Sequence, residues 1–146
     1  VRVVGTGPED ALLRGLAGVQ RLGALGSSAV YEEMARAVAL VLPSICYENF
    51  PRTLVEAFAS GLPVIASRIG ALAELVDDGV TGLLFEPGNA ADLARTMQWA
   101  LAHPEPMAHM GRHAKARYDA AFTADRNHDQ LMAIYQAAIS EVAGVV

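Results

Sequence analysis

The stretch AVALVLPSICYENFPRTLVEAFASGLPVIAS, residues 37–67, decides the fold. AVALVLP (37–43) is apolar throughout, as a strand of a parallel sheet covered on both faces should be. Residues 53–60 read as a helix, Gly61 stops it, and LPVIAS (62–67) is a second apolar strand. A strand, a short helix and another strand in so little sequence form a βαβ unit, which joins parallel neighbours.

The same alternation continues in both directions. Upstream, VRVVG (1–5) is a strand, Pro8 opens a helix over 9–17, and VQRLGAL (19–25) is a second strand. Ser27 or Ser28 can cap a helix over 30–37. Downstream, 71–76 is a short helix and TGLLF (81–85) follows an Asp78-Gly79 turn. Asn89 then caps an amphipathic helix reaching about Ala102, which Pro104 and Pro106 break. A helix over 107–121 and a last one from Thr123 complete the chain, the latter with Leu131, Ile134, Tyr135, Ala138 and Val142 along one face. The expectation is an α/β fold: a Rossmann-like doubly wound parallel sheet with helices on both faces, a helical C-terminal tail, and one domain over 1–146.

Composition narrows the function. A 146-residue chain with 53% hydrophobic and 18% charged residues is no disordered segment. Eleven Lys and Arg against sixteen Asp and Glu leave a net charge of −5, a poor balance for nucleic-acid binding. The single cysteine, Cys46, excludes an internal disulfide framework and makes a reducing compartment the default. It is expected to be half-buried and inert. The longest apolar run, 37–42, is far shorter than the ~20 residues of a spanning helix. No signal peptide is evident, and a start on a strand without Met suggests the body of a longer polypeptide.

In parallel sheets ligands gather at the carboxyl ends of strands, where loops meet helix N-termini. The first such loop, Gly5-Thr6-Gly7-Pro8, lets backbone approach a ligand closely, or is simply a tight turn. As a dinucleotide fingerprint it fails, because the third glycine position holds Asp10, and Glu9 and Asp10 oppose a pyrophosphate. The loop after the 37–43 strand is richer. Glu48 lies in the loop and Glu56 in the first turn of the next helix, so two carboxylates flank a helix N-terminus with free amides at 53–55. That layout suits a nucleotide sugar, with an anionic centre and polyols on either side. Thr53-Leu54-Val55-Glu56 also reads as a capping box, and Glu48 as a solvated loop residue. Ser44 is set aside as a nucleophile, since PSIC is no nucleophile elbow. His103, His109, His113 and His128 occupy the helical tail; the His109/His113 spacing is metal-capable but lacks a third ligand. Trp99, Met97 and Met110 read as core or domain-contact residues.

The run PSICYENFPRTLVEAFASGLPVIAS (43–67) resembles the signature of family 4 retaining glycosyltransferases of the GT-B fold, in which two glutamates are separated by seven residues. VRVVGTGPE, VQRLGALGSSAVYEEMARA, GALAELVDDGVTGLLFEPGNAADLA and FTADRNHDQLMAIY resemble further segments of that family's C-terminal domain, in order. The resemblance implies a catalytic role for Glu48, at a hydroxyl of the transferred sugar, and ribose binding by Glu56. It places backbone of Asn49, Phe50 and Pro51 over the sugar, and backbone of Thr53 and Leu54 at the pyrophosphate. Gly5 and Gly7 join the donor site through the Gly-x-Gly-Pro turn, and Leu25 through a segment bracketing the nucleobase. Asn49 stands where the family commonly has glycine.

By the same resemblance the chain is the donor-binding half of a GT-B enzyme, with no metal site and no cofactor beyond the nucleotide-diphosphate sugar. The first strand, a phosphate-binding basic pair and the N-terminal acceptor domain precede it, and Arg52 and Arg68 do not match that pair. The half alone is expected to be inactive, cytoplasmic and free of nucleic acid, within a parent enzyme peripheral to a membrane. A nucleotide-sugar epimerase of the same fold and a non-catalytic nucleotide-sugar binding module are the rival readings.

Overall fold

The computed structural model describes residues 1–143, without the side chains of Val142 and Ala143. Val142 of the expected apolar face therefore lies outside the described residues. Within the span read as one domain, contacts gather into two compact units, Val1–Ala37 and Val38–Val146.

In the first unit, β1 (Arg2–Val4) and β2 (Gln20–Gly23) pair in parallel. Arg2 stands opposite Gln20, and the register slips between Val3 and Val4, so that Val4 faces Gly23. The helix expected over 9–17 is only a 3-10 turn, Pro8–Leu13. Gly15 and Gly18 both adopt positive φ behind it, a conformation that cannot continue a helix. α1 (Ser27–Arg36) starts earlier than expected, behind Gly26, and neither Ser27 nor Ser28 caps it. Both serines fall inside the first turn. Arg2 ties β1 to α1 through Glu33, at 2.6 Å.

In the second unit, β3 (Leu40–Leu42), β4 (Val64–Ser67) and β5 (Gly82–Phe85) form a parallel sheet in the order β3-β4-β5. Leu42 pairs with Ala66, and Ser67 with Phe85. All four residues of β4 are buried, whereas β3 is half-buried because it forms an edge of this sheet. The flanking helices are α2 (Arg52–Ala59), α3 (Gly70–Leu75), α4 (Ala90–Ala102), α5 (Pro104–Ala121) and α6 (Ala124–Ala143). Parallel strands between helices are the α/β class read from sequence.

Several local signals act as their chemistry requires. Asn89 Oδ1 accepts the Asp92 amide at 3.0 Å, and Thr123 Oγ1 accepts that of Arg126 at 3.3 Å. Pro104 and Pro106, read as breakers, instead sit in the first turn of α5, where a missing N–H costs nothing. Ile65 and Phe85 pack with Ala100, Met107 and Met110, and Met97 closes that cluster from its edge. Leu54, Phe58 and Leu72 are also fully buried. Two glycines permit close approaches: a Cβ on Gly82 would strike the Val64 carbonyl, and one on Gly111 the Gly61 carbonyl, where α5 passes α2. The outward side of α6 carries exposed Leu131, Ile134, Tyr135 and Ile139. Among the described residues no helix is long and apolar enough to cross a membrane.

The two kinds of glycine should separate in equilibrium denaturation. Gly79→Ala, at φ +76° in open space, should cost about 1 kcal/mol from backbone strain alone. Gly82→Ala, forced against the β4 backbone, should cost more than about 2 kcal/mol. Equal midpoints for the two variants would show that the β4–β5 spacing is not the constraint.

Candidate functional site

The loop from Pro43 to Pro51 leaves the carboxyl end of β3 and enters α2. Pro51 is buried and is the residue before the helix, its φ of −76° already suited to the turn. Its carbonyl accepts the amides of Leu54 at 3.0 Å and Val55 at 3.4 Å. The free amides expected at 53–55 therefore move to Arg52 and Thr53, the two at this helix start without a partner among the described residues. Leu54 itself is a core residue, and only its backbone faces the helix start.

The capping-box reading does not hold. Thr53 is the second residue of α2, not its cap, and no side chain caps the helix. Glu56 falls beyond the first turn, where its carboxylate cannot reach back to a cap amide. Instead Glu56 Oε1 lies 3.5 Å from Arg52 Nη2, the arginine 85% exposed and the glutamate 31%. That leaves Glu56 a partly shielded acceptor beside the helix start, weakly held by one cation.

Glu48 is exposed, and its Oε1 accepts a 2.6 Å hydrogen bond from Ser44 Oγ. Sequence reasoning passed over Ser44 in this role; the available signal was a hydroxyl four residues before the glutamate within one loop. Asn49 and Thr53 are exposed as well. Cys46, expected to be half-buried, is exposed, since the loop presents it outward. Tyr47 is 82% exposed, yet its ring lies on Gly70, where a Cβ would meet Cδ1 at 2.8 Å. Phe50 meets Phe122 edge-on, with centroids 6.3 Å apart. Arg68 pairs with Asp78 at 2.6 Å.

Gly5, Gly7 and Leu25 belong to the first unit. Gly5 has φ +118°, and its amide donates to Gly23 at 2.7 Å, so the turn after β1 needs glycine there. A shallow pocket of about 370 Å³ is lined by residues 3–10 together with Leu12 and Leu13. Asp10 at its rim is paired with Arg21, Nε to Oδ1 at 2.9 Å, so the expected acidic repulsion falls largely to Glu9. Leu25 is half-buried after β2. All four histidines are exposed; His109 and His113 lie 4.5 Å apart by centroid, and Trp99 stacks on His103. Among the described residues no three His, Cys, Asp or Glu side chains group as metal ligands.

Gly70→Ala tests the Tyr47 contact. With φ +46° and the ring in the way, the substitution should shift the Tyr47 aromatic resonances and lower stability by about 1–2 kcal/mol. Unmoved Tyr47 signals would mean the ring does not rest there in solution.

A family described as "Glycosyl transferases group 1" matches residues 1–103. The chain is 35% identical to a D-rhamnosyltransferase of Pseudomonas aeruginosa, over 85% of this chain and 35% of that protein. It spans about a third or less of the length of the curated relatives it matches. Among solved structures, sucrose-phosphate synthase from Thermosynechococcus elongatus superposes with a TM-score of 0.83 at 30% identity, over 96% of this chain and 38% of that one. Anabaena HepE, solved in complex with UDP-glucose, superposes with a TM-score of 0.81 at 26% identity, over 93% and 40%.

Proposed function

Because the chain belongs to the group 1 glycosyl transferases, we propose that it is the donor-binding half of a retaining glycosyltransferase using a nucleotide-diphosphate sugar. The observation that carries this reading is the pair of carboxylates on either side of the α2 start, Glu48 on the loop and Glu56 on the helix. Neither is buried in a structural network, and each keeps an oxygen available to a hydroxyl. Glu56 accepts from the ribose, and Glu48 contacts a hydroxyl of the transferred sugar. Between them the amides of Arg52 and Thr53, at the positive end of the helix dipole, face the diphosphate. Backbone of Asn49, Phe50 and Pro51 covers the sugar.

In the transfer, an acceptor hydroxyl oxygen bonds to the anomeric carbon as the bond to the diphosphate oxygen breaks on the same face. The acceptor proton leaves with the diphosphate. The helix start stabilises the charge that develops on the leaving group. This reading needs no metal and no further cofactor. The acceptor domain lies elsewhere in the parent enzyme, so the 146 residues alone bind donor without turning it over. That enzyme works in the cytoplasm, peripheral to a membrane, and takes no nucleic acid.

Ligand-observed NMR against UDP, GDP and ADP with their sugar conjugates tests the reading. One nucleotide series should bind, and Glu56→Ala should weaken it about tenfold or more, as the loss of hydrogen bonds to a charged group implies. Binding untouched by that substitution would remove Glu56 from the ribose.

A further inference from the structure

The two loop carboxylates are held in different ways. Glu56 has a cation nearby in Arg52. Among the described residues Glu48 has no basic partner, and its one hydrogen bond is the 2.6 Å contact from Ser44 Oγ. A hydroxyl donating to a carboxylate at that length is a charge-assisted bond, stronger than its neutral counterpart. The donor is half-buried and follows Leu42, the last residue of β3, by two positions; the acceptor stands in the exposed part of the loop. The sheet thus reaches out through one hydroxyl to an otherwise free side chain. Oε1 is occupied by that bond, and Oε2 keeps its lone pairs for a ligand.

We infer that Ser44 is a positioning residue for sugar recognition. It holds the Glu48 carboxylate in one orientation, so that Oε2 meets the sugar hydroxyl without first losing rotamer freedom. This rests on the donor-site reading above and deepens it: the hydroxyl sets how strongly the sugar is recognised, without touching the donor. A mere loop staple would instead affect nucleotide and sugar conjugate alike.

The test titrates the wild-type chain, Ser44→Ala, Ser44→Thr, Glu48→Ala and the Ser44→Ala/Glu48→Ala double variant with UDP and UDP-glucose, GDP and GDP-mannose, and ADP and ADP-glucose. The ratio of conjugate to nucleotide affinity isolates the sugar contact. Ser44→Ala should lower that ratio about fivefold while leaving nucleotide affinity unchanged, and Ser44→Thr should restore it. In the Glu48→Ala background Ser44→Ala should have no further effect on the ratio, the mark of two residues acting as one. Without ligand, the three-bond couplings of the Glu48 side chain should move from single-rotamer to averaged values in Ser44→Ala. Unchanged couplings, or an equal loss for nucleotide and conjugate, would overturn the inference. A wild-type chain that binds donors with a ratio indifferent to Ser44 would sink this inference alone. A wild-type chain that binds none of the six would overturn the donor-site reading, and the sugar role of Ser44 with it.

Discussion

Parallel pairing of β3 with β4 governs the second unit. Leu40 to Leu42 run beside Val64 to Ala66 in the same direction, so the chain must travel back across the sheet between them. That return is α2, and its start has to lie near the carboxyl end of β3. The position of Glu48, Pro51 and Glu56 follows from this requirement before any ligand is considered. The requirement is enforced by burial: every residue of β4 is inaccessible, and on its other side β5 approaches so closely that only glycine fits at 82. A slip of one residue in β3 would move Leu40, Val41 and Leu42 to the wrong faces and carry the loop with them.

On the proposed donor reading, an acidic chain has to keep its carboxylates from opposing a diphosphate. Here this is done locally. Asp10 is neutralised by Arg21, Asp78 by Arg68 and Asp77 by Arg117, all on the loops and turns around the strands. Glu56 has Arg52, in an exposed pair worth little by itself. Glu48 alone among these is held by a neutral donor, with no cation beside it among the described residues. A carboxylate left in that state suits a partner that is neutral and donates hydrogen bonds, which describes a sugar hydroxyl better than a phosphate.

Elements with strong periodicity or strong punctuation were legible from sequence. The five strands, the Asn89 cap, the start of the last helix at about Thr123 and the glycine at the turn after β1 all follow from local chemistry that acts over a few residues. What escaped needed tertiary or competing information. Residues 9–17 have helical spacing, but two glycines at positive φ cut the helix to a 3-10 turn. Thr53-x-x-Glu56 has the capping pattern, yet Pro51 starts the helix two residues earlier and shifts both residues out of register for capping. Pro104 and Pro106 end one helix by opening another. At the site, the identities of Glu48 and Glu56 were readable from spacing and resemblance, whereas the Ser44 bond and the Phe50–Phe122 contact were not. The first depends on how the loop folds back on itself. The second joins residues far apart in sequence.

The loop between β3 and α2 faces a conflict between exposure and order. Ile45, Tyr47, Glu48 and Phe50 are all exposed, and an exposed loop is ordinarily mobile. Its restraints come from separate places. Ser44 grips Glu48 from the end of β3, Gly70 at the start of α3 receives the Tyr47 ring, and Phe122 at the end of α5 meets Phe50. Buried Pro51 fixes the exit into α2. Each of these contacts acts on a different residue of the loop and is anchored on a different element. Together they lower the number of conformations the loop can adopt, which is where preorganisation would raise affinity for the proposed donor. The phenylalanine pair has a further consequence. Phe122 sits at the corner between α5 and α6, so the Phe50 contact is anchored at that corner. The loop thus meets the chain just before α6, whose outward side carries exposed Leu131, Ile134, Tyr135 and Ile139.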